Sequence, residues 1–170
     1  EIELEKSGMA WNIIRPNWFM QNFNSFWIKG IREEGKILLP AGNAAVSFID
    51  ARDIAAVAAK LLTTDDLKNQ AFDLSGAESL SHSDVARILT TTTGKRTVYQ
   101  EIQPDELKKG LMAAGLPEDY SDFLLFIFGI LRDGHNAPVN DSVKRILGSQ
   151  WGGFAVLLFL WLLHNDVPRA

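Results

Sequence analysis

The sequence predicts an α/β fold. Short apolar segments of strand character alternate with stretches of helical period through the first half, the pattern of strands connected by helices. The second half is richer in helix. Glycine, proline and asparagine stand at most of the joints between segments. A chain of 170 residues that is 46% hydrophobic and 22% charged can bury a core of its own.

The elements follow in order. Glu1 to Lys6 is charged and helical in character, and Gly8 suits the left-handed residue just beyond a helix end. Trp11 to Ile14 reads as a buried strand ended by Arg15-Pro16, since proline donates nothing to a ladder. Trp18 to Ile31 reads as an aromatic-rich helix that stops before Gly35. Lys36 to Leu39 and Val46 to Ile49 read as strands around a turn at Pro40 to Asn43. Ile54, Val57, Ala58, Leu61 and Leu62 recur at i, i+3, i+4, i+7 and i+8, one apolar helix face, with Asp50 as its cap and Asp53 at the positive end of the dipole. Ala71 to Leu74 is a strand. Ser81 starts a helix with Val85, Ile88 and Leu89 on one side, and Thr90 to Thr93 predict a frayed end before Gly94. Thr97 to Tyr99 is a strand, and Pro104 opens a helix running to Gly115. Ser121 to Leu131 is a strongly apolar helix, and Val143 to Leu147 is a short one closed by Gly148.

Composition removes several functions. The charge sum is −4, and Lys95-Arg96, Lys108-Lys109 and Lys144-Arg145 are separated by acidic or neutral sequence, which argues against a nucleic-acid partner. With no cysteine there are no disulfides, thiolate metal sites or thiol nucleophiles, and a reducing, cytoplasmic setting is the expectation. The start carries no signal-peptide pattern. The longest apolar run, Phe154 to Leu163, is too short to span a bilayer. No G-x-G-x-x-G or Walker loop, no H-E-x-x-H and no G-x-S-x-G elbow occurs. His82, His135 and His164 lie far apart, so no metal site is expected. Ser81, His82 and Asp84 stand together at a loop-to-helix junction, where these residue types act as caps rather than as a catalytic triad. A Tyr-x-x-x-Lys pair is missing too: Gln103 follows Tyr99 at +4, and Leu124 follows Tyr120. Asn140-Asp141-Ser142 fits a glycosylation acceptor by chance composition.

The most informative segment runs from Arg15 to Phe23. In open α/β sheets, ligands bind at the carboxyl ends of parallel strands. Trp18, Phe19, Met20 and Phe23 leaving such an end could wall a flat apolar pocket, with Asn17, Gln21 and Asn22 adding hydrogen bonds; the plainer alternative makes the aromatics core. Residues 7 to 23, Ser7-Gly8-Met9-Ala10-Trp11 through Gln21-Asn22-Phe23, resemble the "SGL-W-T-I-LRP-G/N-FFMQNF" segment of the NmrA-like family, atypical short-chain dehydrogenase/reductases. Val46 to Ala55 resembles its "FIDVRDIA" and Asp73 to Ser81 its "LTGPEALS", in the same order and spacing.

The resemblance implies the C-terminal part of a Rossmann-type NAD(P)-binding fold with a smaller, mostly helical substrate domain. Residues 1–76 would carry the end of the Rossmann-like part with substrate-loop elements, residues 77–148 the substrate side, and 149–170 an atypical apolar tail. NAD or NADP would be the cofactor, although the loop that holds its phosphates is not in this chain. Pro16, Asn17, Trp18 and Phe19 would lie against the nicotinamide, and Trp18, Phe19, Met20, Asn22 and Phe23 would line the site of a small aromatic substrate. No catalytic residue is assigned, because the lysine or tyrosine of catalytic relatives would precede Glu1. The expected function is hydride transfer to a quinone or dye. A non-catalytic NAD(P) redox sensor with a protein partner and an inactive truncated fragment are the alternatives, and a homo-oligomer is also open. Alone, the chain is expected to bind NAD(P) weakly and, with strand edges unpaired, to be poorly soluble. The tail departs from the family pattern; a buried helix, a partner-binding segment, a membrane-surface contact or a frame-shifted reading would each account for it.

Overall fold

A computed structural model describes residues 1–149; the apolar tail lies outside them. Two parallel strand pairs and one antiparallel pair organise the described residues. Strand β1 (Asn12–Pro16) runs parallel to β4 (Gln70–Leu74), with Ile14 opposite Phe72. Strand β2 (Lys36–Leu39) runs parallel to β6 (Val98–Glu101). The short β3 (Ala45–Val46) lies antiparallel to β5 (Leu80–Ser81). Helices α1 (Ile2–Lys6), α2 (Ala51–Thr63), α3 (His82–Thr93), α4 (Pro104–Ala113), α5 (Glu118–Arg132) and α6 (Ser142–Leu147) complete the order. This is the α/β alternation that the sequence predicts.

The long helix expected over Trp18 to Ile31 is not formed. Phe19 is extended and forms a parallel bridge with Ile49. The Ile49 N–H donates to the Trp18 carbonyl at 2.9 Å, and the Met20 N–H donates to that of Ile49 at 2.9 Å. Only then does a 3₁₀ turn run over Met20–Asn24, and a π turn over Gly30–Glu34 that closes at left-handed Gly35. A main chain engaged in strand pairing cannot also close helical hydrogen bonds. Strand β1 likewise continues through Pro16, two residues beyond Ile14, with Pro16 opposite Leu74; a proline can accept in a ladder although it donates nothing.

Three further expectations change. The strand expected over Val46 to Ile49 is limited to Ala45–Val46, and Ile49 takes part only in the bridge to Phe19. Leu62 is 88% exposed, so the buried stripe of α2 is Val57 and Leu61 with Ile54 packed beside them. The threonine run does not fray: Thr90 to Thr93 remain helical, each hydroxyl donating to the carbonyl four residues back at 2.8–3.0 Å. The Thr90 hydroxyl also accepts from the Thr97 N–H at 2.9 Å, and its one proton is shared between the Ala86 carbonyl and that of Thr97 at 3.0 Å. Gly94, with φ of +71°, ends the helix as expected.

Two apolar clusters form the core. One gathers Phe23, Ile37, Leu39, Phe48, Val85 and Leu131 with their neighbours. The other gathers Ile49, Val57, Leu61, Phe72, Leu74 and Ile146, with α6 lying on α2 and β4. They meet at the adjacent residues Phe48 and Ile49. Among the described residues no helix is long and apolar enough to cross a membrane, and no cluster of three metal-ligating side chains occurs.

Candidate functional site

The residues that the sequence assigns to the site lie at and just beyond the carboxyl end of β1. There the chain leaves Pro16, makes a pinned turn at Asn17, and presents Trp18 and Phe19. The Asn17 main-chain N–H donates to the Leu74 carbonyl at 2.9 Å, which extends the pairing with β4 by one residue. Its side-chain amide is saturated. Nδ2 donates to Ser47 Oγ at 2.7 Å and to the Asn136 carbonyl at 2.9 Å. Oδ1 accepts from the Trp18 N–H at 2.8 Å and from Asn136 Nδ2 at 2.9 Å. An amide has two donors and about two acceptor positions, so Asn17 keeps none for a ligand. It acts as a pin between β1, the buried Ser47, and the loop after α5.

Gln21 is likewise engaged. Its Nε2 donates to Asp50 Oδ1 at 2.9 Å, and its Oε1 accepts from the Ala51 N–H at 3.0 Å. Asp50 is 1% exposed and caps α2 by accepting from the Arg52 N–H at 2.8 Å. The Arg52 guanidinium reaches both carboxylate oxygens, with the shortest contact 2.6 Å. Burial pushes the Asp50 carboxyl up, but hydrogen bonds from Arg52 and Gln21 outweigh it and hold it below the usual range. Asn22, by contrast, is half-buried and its side-chain amide makes no hydrogen bond among the described residues; its main chain accepts from the Trp27 N–H.

The aromatic residues divide by burial. Phe19 is 40% exposed at the strand end. Trp18 is half-buried, stacked on Trp27 with centroids 6.2 Å apart and tilted against Phe128 of α5 at 5.1 Å. Met20 and Phe23 are 4% and 3% exposed and face the first cluster, where Phe23 meets Trp27 edge-on at 4.7 Å and Phe48 at 5.2 Å. Trp18, Met20 and Phe23 therefore form one apolar wall against the first cluster, with Trp18 only half-buried, and Phe19 stands exposed beside it at the strand end.

Three further contributors are not assigned to the site from the sequence. Asn136 lies 119 residues from Asn17, and Trp27 and Phe128 join the wall only through packing. Ser81 and Asp84 form the expected capping box, with the Ser81 hydroxyl accepting from the Asp84 N–H at 3.1 Å and the Asp84 carboxylate accepting from the Ser81 N–H at 3.1 Å. A separate groove of about 380 Å³ lies between Trp11, Asn12 and Ile14 of the β1 side and Ala58, Leu61 and Leu62 of α2. It holds none of the wall residues.

Comparison with known proteins bears on the whole described fold. A sequence model of the NmrA-like family matches residues 1–148. An NAD(P)H azoreductase of Xenophilus azovorans is 35% identical over 153 residues, which is 90% of this chain and 53% of that protein. The crystal structure of an NADPH-dependent quinone oxidoreductase from Escherichia coli, complexed with NADPH, superposes with a TM-score of 0.84 at 21% identity, over 96% of this chain and 57% of that one. The triphenylmethane reductase of Citrobacter sp. superposes with a TM-score of 0.81 at 21% identity, over 96% and 56% respectively. The chain spans about half the length of the curated relatives it matches, and its fold is the one that this share of the solved reductases adopts.

Proposed function

Because this chain belongs to the NmrA-like family, we propose that it is the C-terminal part of an NAD(P)H-dependent oxidoreductase whose acceptor is a flat, apolar molecule such as a quinone or dye. The observation that carries the reading is the aromatic wall at the end of β1, the position where open α/β sheets bind ligands. The 35% identity with an NAD(P)H azoreductase supports it. The residues present suit the nicotinamide end of the cofactor: an exposed Phe19 ring and a half-buried Trp18 rise from a turn that Asn17 holds rigid. No glycine-rich loop for the pyrophosphate occurs in these 170 residues. When bound, the cofactor supplies the hydride, and the chemistry is its own.

In this reading the chain orients and excludes water. The exposed Phe19 ring and the open side of Trp18 offer apolar surface to a planar acceptor, Pro16 and Asn17 set their height, and Trp27 and Phe128 brace Trp18. Asn22 is the polar contact, since Asn17 and Gln21 are consumed by the fold. Residues 1–76 then belong to the cofactor side and 77–148 to the acceptor side.

The test uses the longest natural polypeptide that contains this chain, with NADPH and a panel of quinones and azo or triphenylmethane dyes. Turnover is expected, and Phe19→Ala should raise the acceptor KM about tenfold, the loss of roughly 1.4 kcal/mol of ring contact. Unequal affinity for oxidised and reduced cofactor without turnover of any acceptor would replace this reading with that of a redox-sensing regulator. Failure of that polypeptide to bind either cofactor would leave an inactive fragment.

A further inference from the structure

His82 is the first residue of α3, and its side chain is completely buried. Four rings enclose it. Phe48 stands perpendicular to it with centroids 5.5 Å apart, Tyr99 lies at 5.7 Å, Trp27 at 5.9 Å and Phe23 at 6.1 Å. Neither ring nitrogen has a hydrogen-bond partner. A buried neutral imidazole without partners already costs free energy, and an imidazolium in the same cage would cost far more. Two of the enclosing rings belong to the aromatic wall: Trp27 stacks on Trp18, and Phe23 packs edge-on against Trp27.

We propose that His82 is an acid-operated latch behind this wall. Neutral, it completes the cage and holds the start of α3 against Phe23, Trp27, Phe48 and Tyr99. Protonated, it has to leave, and the wall comes apart with it.

The charged and titratable groups on the surrounding elements do not rescue a cation there. Asp84, two residues along α3, is taken up by Ser81 and Arg87. On β6 the Tyr99 hydroxyl donates to the Leu39 carbonyl and accepts from the Ala41 N–H, while Glu101 pairs with Arg132. Beyond Phe48, Asp50 is held by Arg52. The 3₁₀ segment that carries Phe23 has no charged residue, and Lys29, two residues past Trp27, is exposed. Burial accordingly keeps His82 neutral down to about pH 4 instead of the usual 6.5. The sign follows from linkage. Below pH 6.5 the opened state takes up the proton and the closed state does not, so opening becomes easier as the pH falls, by roughly 30-fold at pH 5.

The latch does not depend on what the wall binds, so its test needs no cofactor or substrate. Urea unfolding of the 170-residue chain and of His82→Phe is followed by near-ultraviolet circular dichroism at pH 7.5 and 5.0. The unfolding constant of the unaltered chain should rise roughly 30-fold more than that of the variant over this interval. Equal rises overturn the proposal. Should His82→Phe not fold, the Cε1 proton of His82 in the unaltered chain decides by NMR. A resonance that stays in its neutral position until the near-ultraviolet signal collapses supports the latch. A titration near pH 6.5 within an intact fold overturns it.

Discussion

At Gly76 a Cβ would lie 1.8 Å from the Phe48 carbonyl oxygen, far inside any contact that a side chain tolerates. The Gly76 N–H also donates to the Ser47 carbonyl, so the two backbones lie directly against each other where the core clusters meet. Nothing flexible can yield there, because the obstacle is main chain. Gly76→Ala should therefore cost about 3 kcal/mol, read from urea unfolding. A cost below 0.5 kcal/mol would show that the two backbones separate easily. Asp50 is the other sensitive residue. Arg52→Ala removes the guanidinium from a carboxylate that is 1% exposed and leaves Gln21 and the Arg52 N–H as its partners. A loss of about 2 kcal/mol at pH 7 is expected, in line with charge-assisted hydrogen bonds. Its pH dependence has a definite sign. A carboxyl held low in the folded chain contributes stability above its ordinary pKa and loses it as the pH falls. The curves of the unaltered chain and of Arg52→Ala should thus converge toward acid, and parallel curves from pH 7 to 3 would refute the assignment.

Local rules decide most elements, and their failures mark long-range contacts. The cap at Asp50, the Ser81–Asp84 box, Pro104 at a helix start and Gly94 and Gly148 at helix ends are all readable because each signal sits within four residues of its effect. Trp18 to Ile31 has helical aromatic spacing, yet Ile49, thirty residues from Phe19, takes its main chain into a bridge. The same distance problem hides part of the site. The wall's first residues are legible as a strand end followed by aromatics, whereas Asn136 and Phe128 reach it only through the folded chain. The threonine run fails for another reason: propensity scales treat the hydroxyl as a competitor, and here it satisfies carbonyls within the helix instead. Thr90 also ties α3 to the start of β6, through the Thr97 N–H and carbonyl at 2.9 and 3.0 Å. Thr90→Val keeps the shape and leaves the buried Thr97 main chain unpaired. It should cost about 1.5 kcal/mol, while Thr91→Val on the exposed side should stay within 0.5 kcal/mol of the unaltered chain. Equal costs would mean that the tie adds nothing.

On the scale of the whole chain, what these 170 residues can hold on their own follows from the parts they contain. Cofactor affinity in such folds rests largely on the pyrophosphate, which needs a glycine-rich turn and the positive end of a helix. These 170 residues contain no such turn, and the wall at the end of β1 offers ring surface and the Asn22 amide, which makes no hydrogen bond among the described residues. A nicotinamide ring resting on Phe19 and Trp18 would gain the contact energy of a small flat ligand, which corresponds to millimolar rather than submicromolar binding. The expected outcome of calorimetric titration is therefore no saturable NADPH binding by the 170-residue chain at micromolar concentration. Weak shifts confined to the wall tryptophans should appear with millimolar nicotinamide mononucleotide. Submicromolar NADPH affinity would mean that a phosphate site has been built from residues outside every known glycine-loop pattern. The division of labour between a cofactor side and an acceptor side would then have to be redrawn with this chain carrying both.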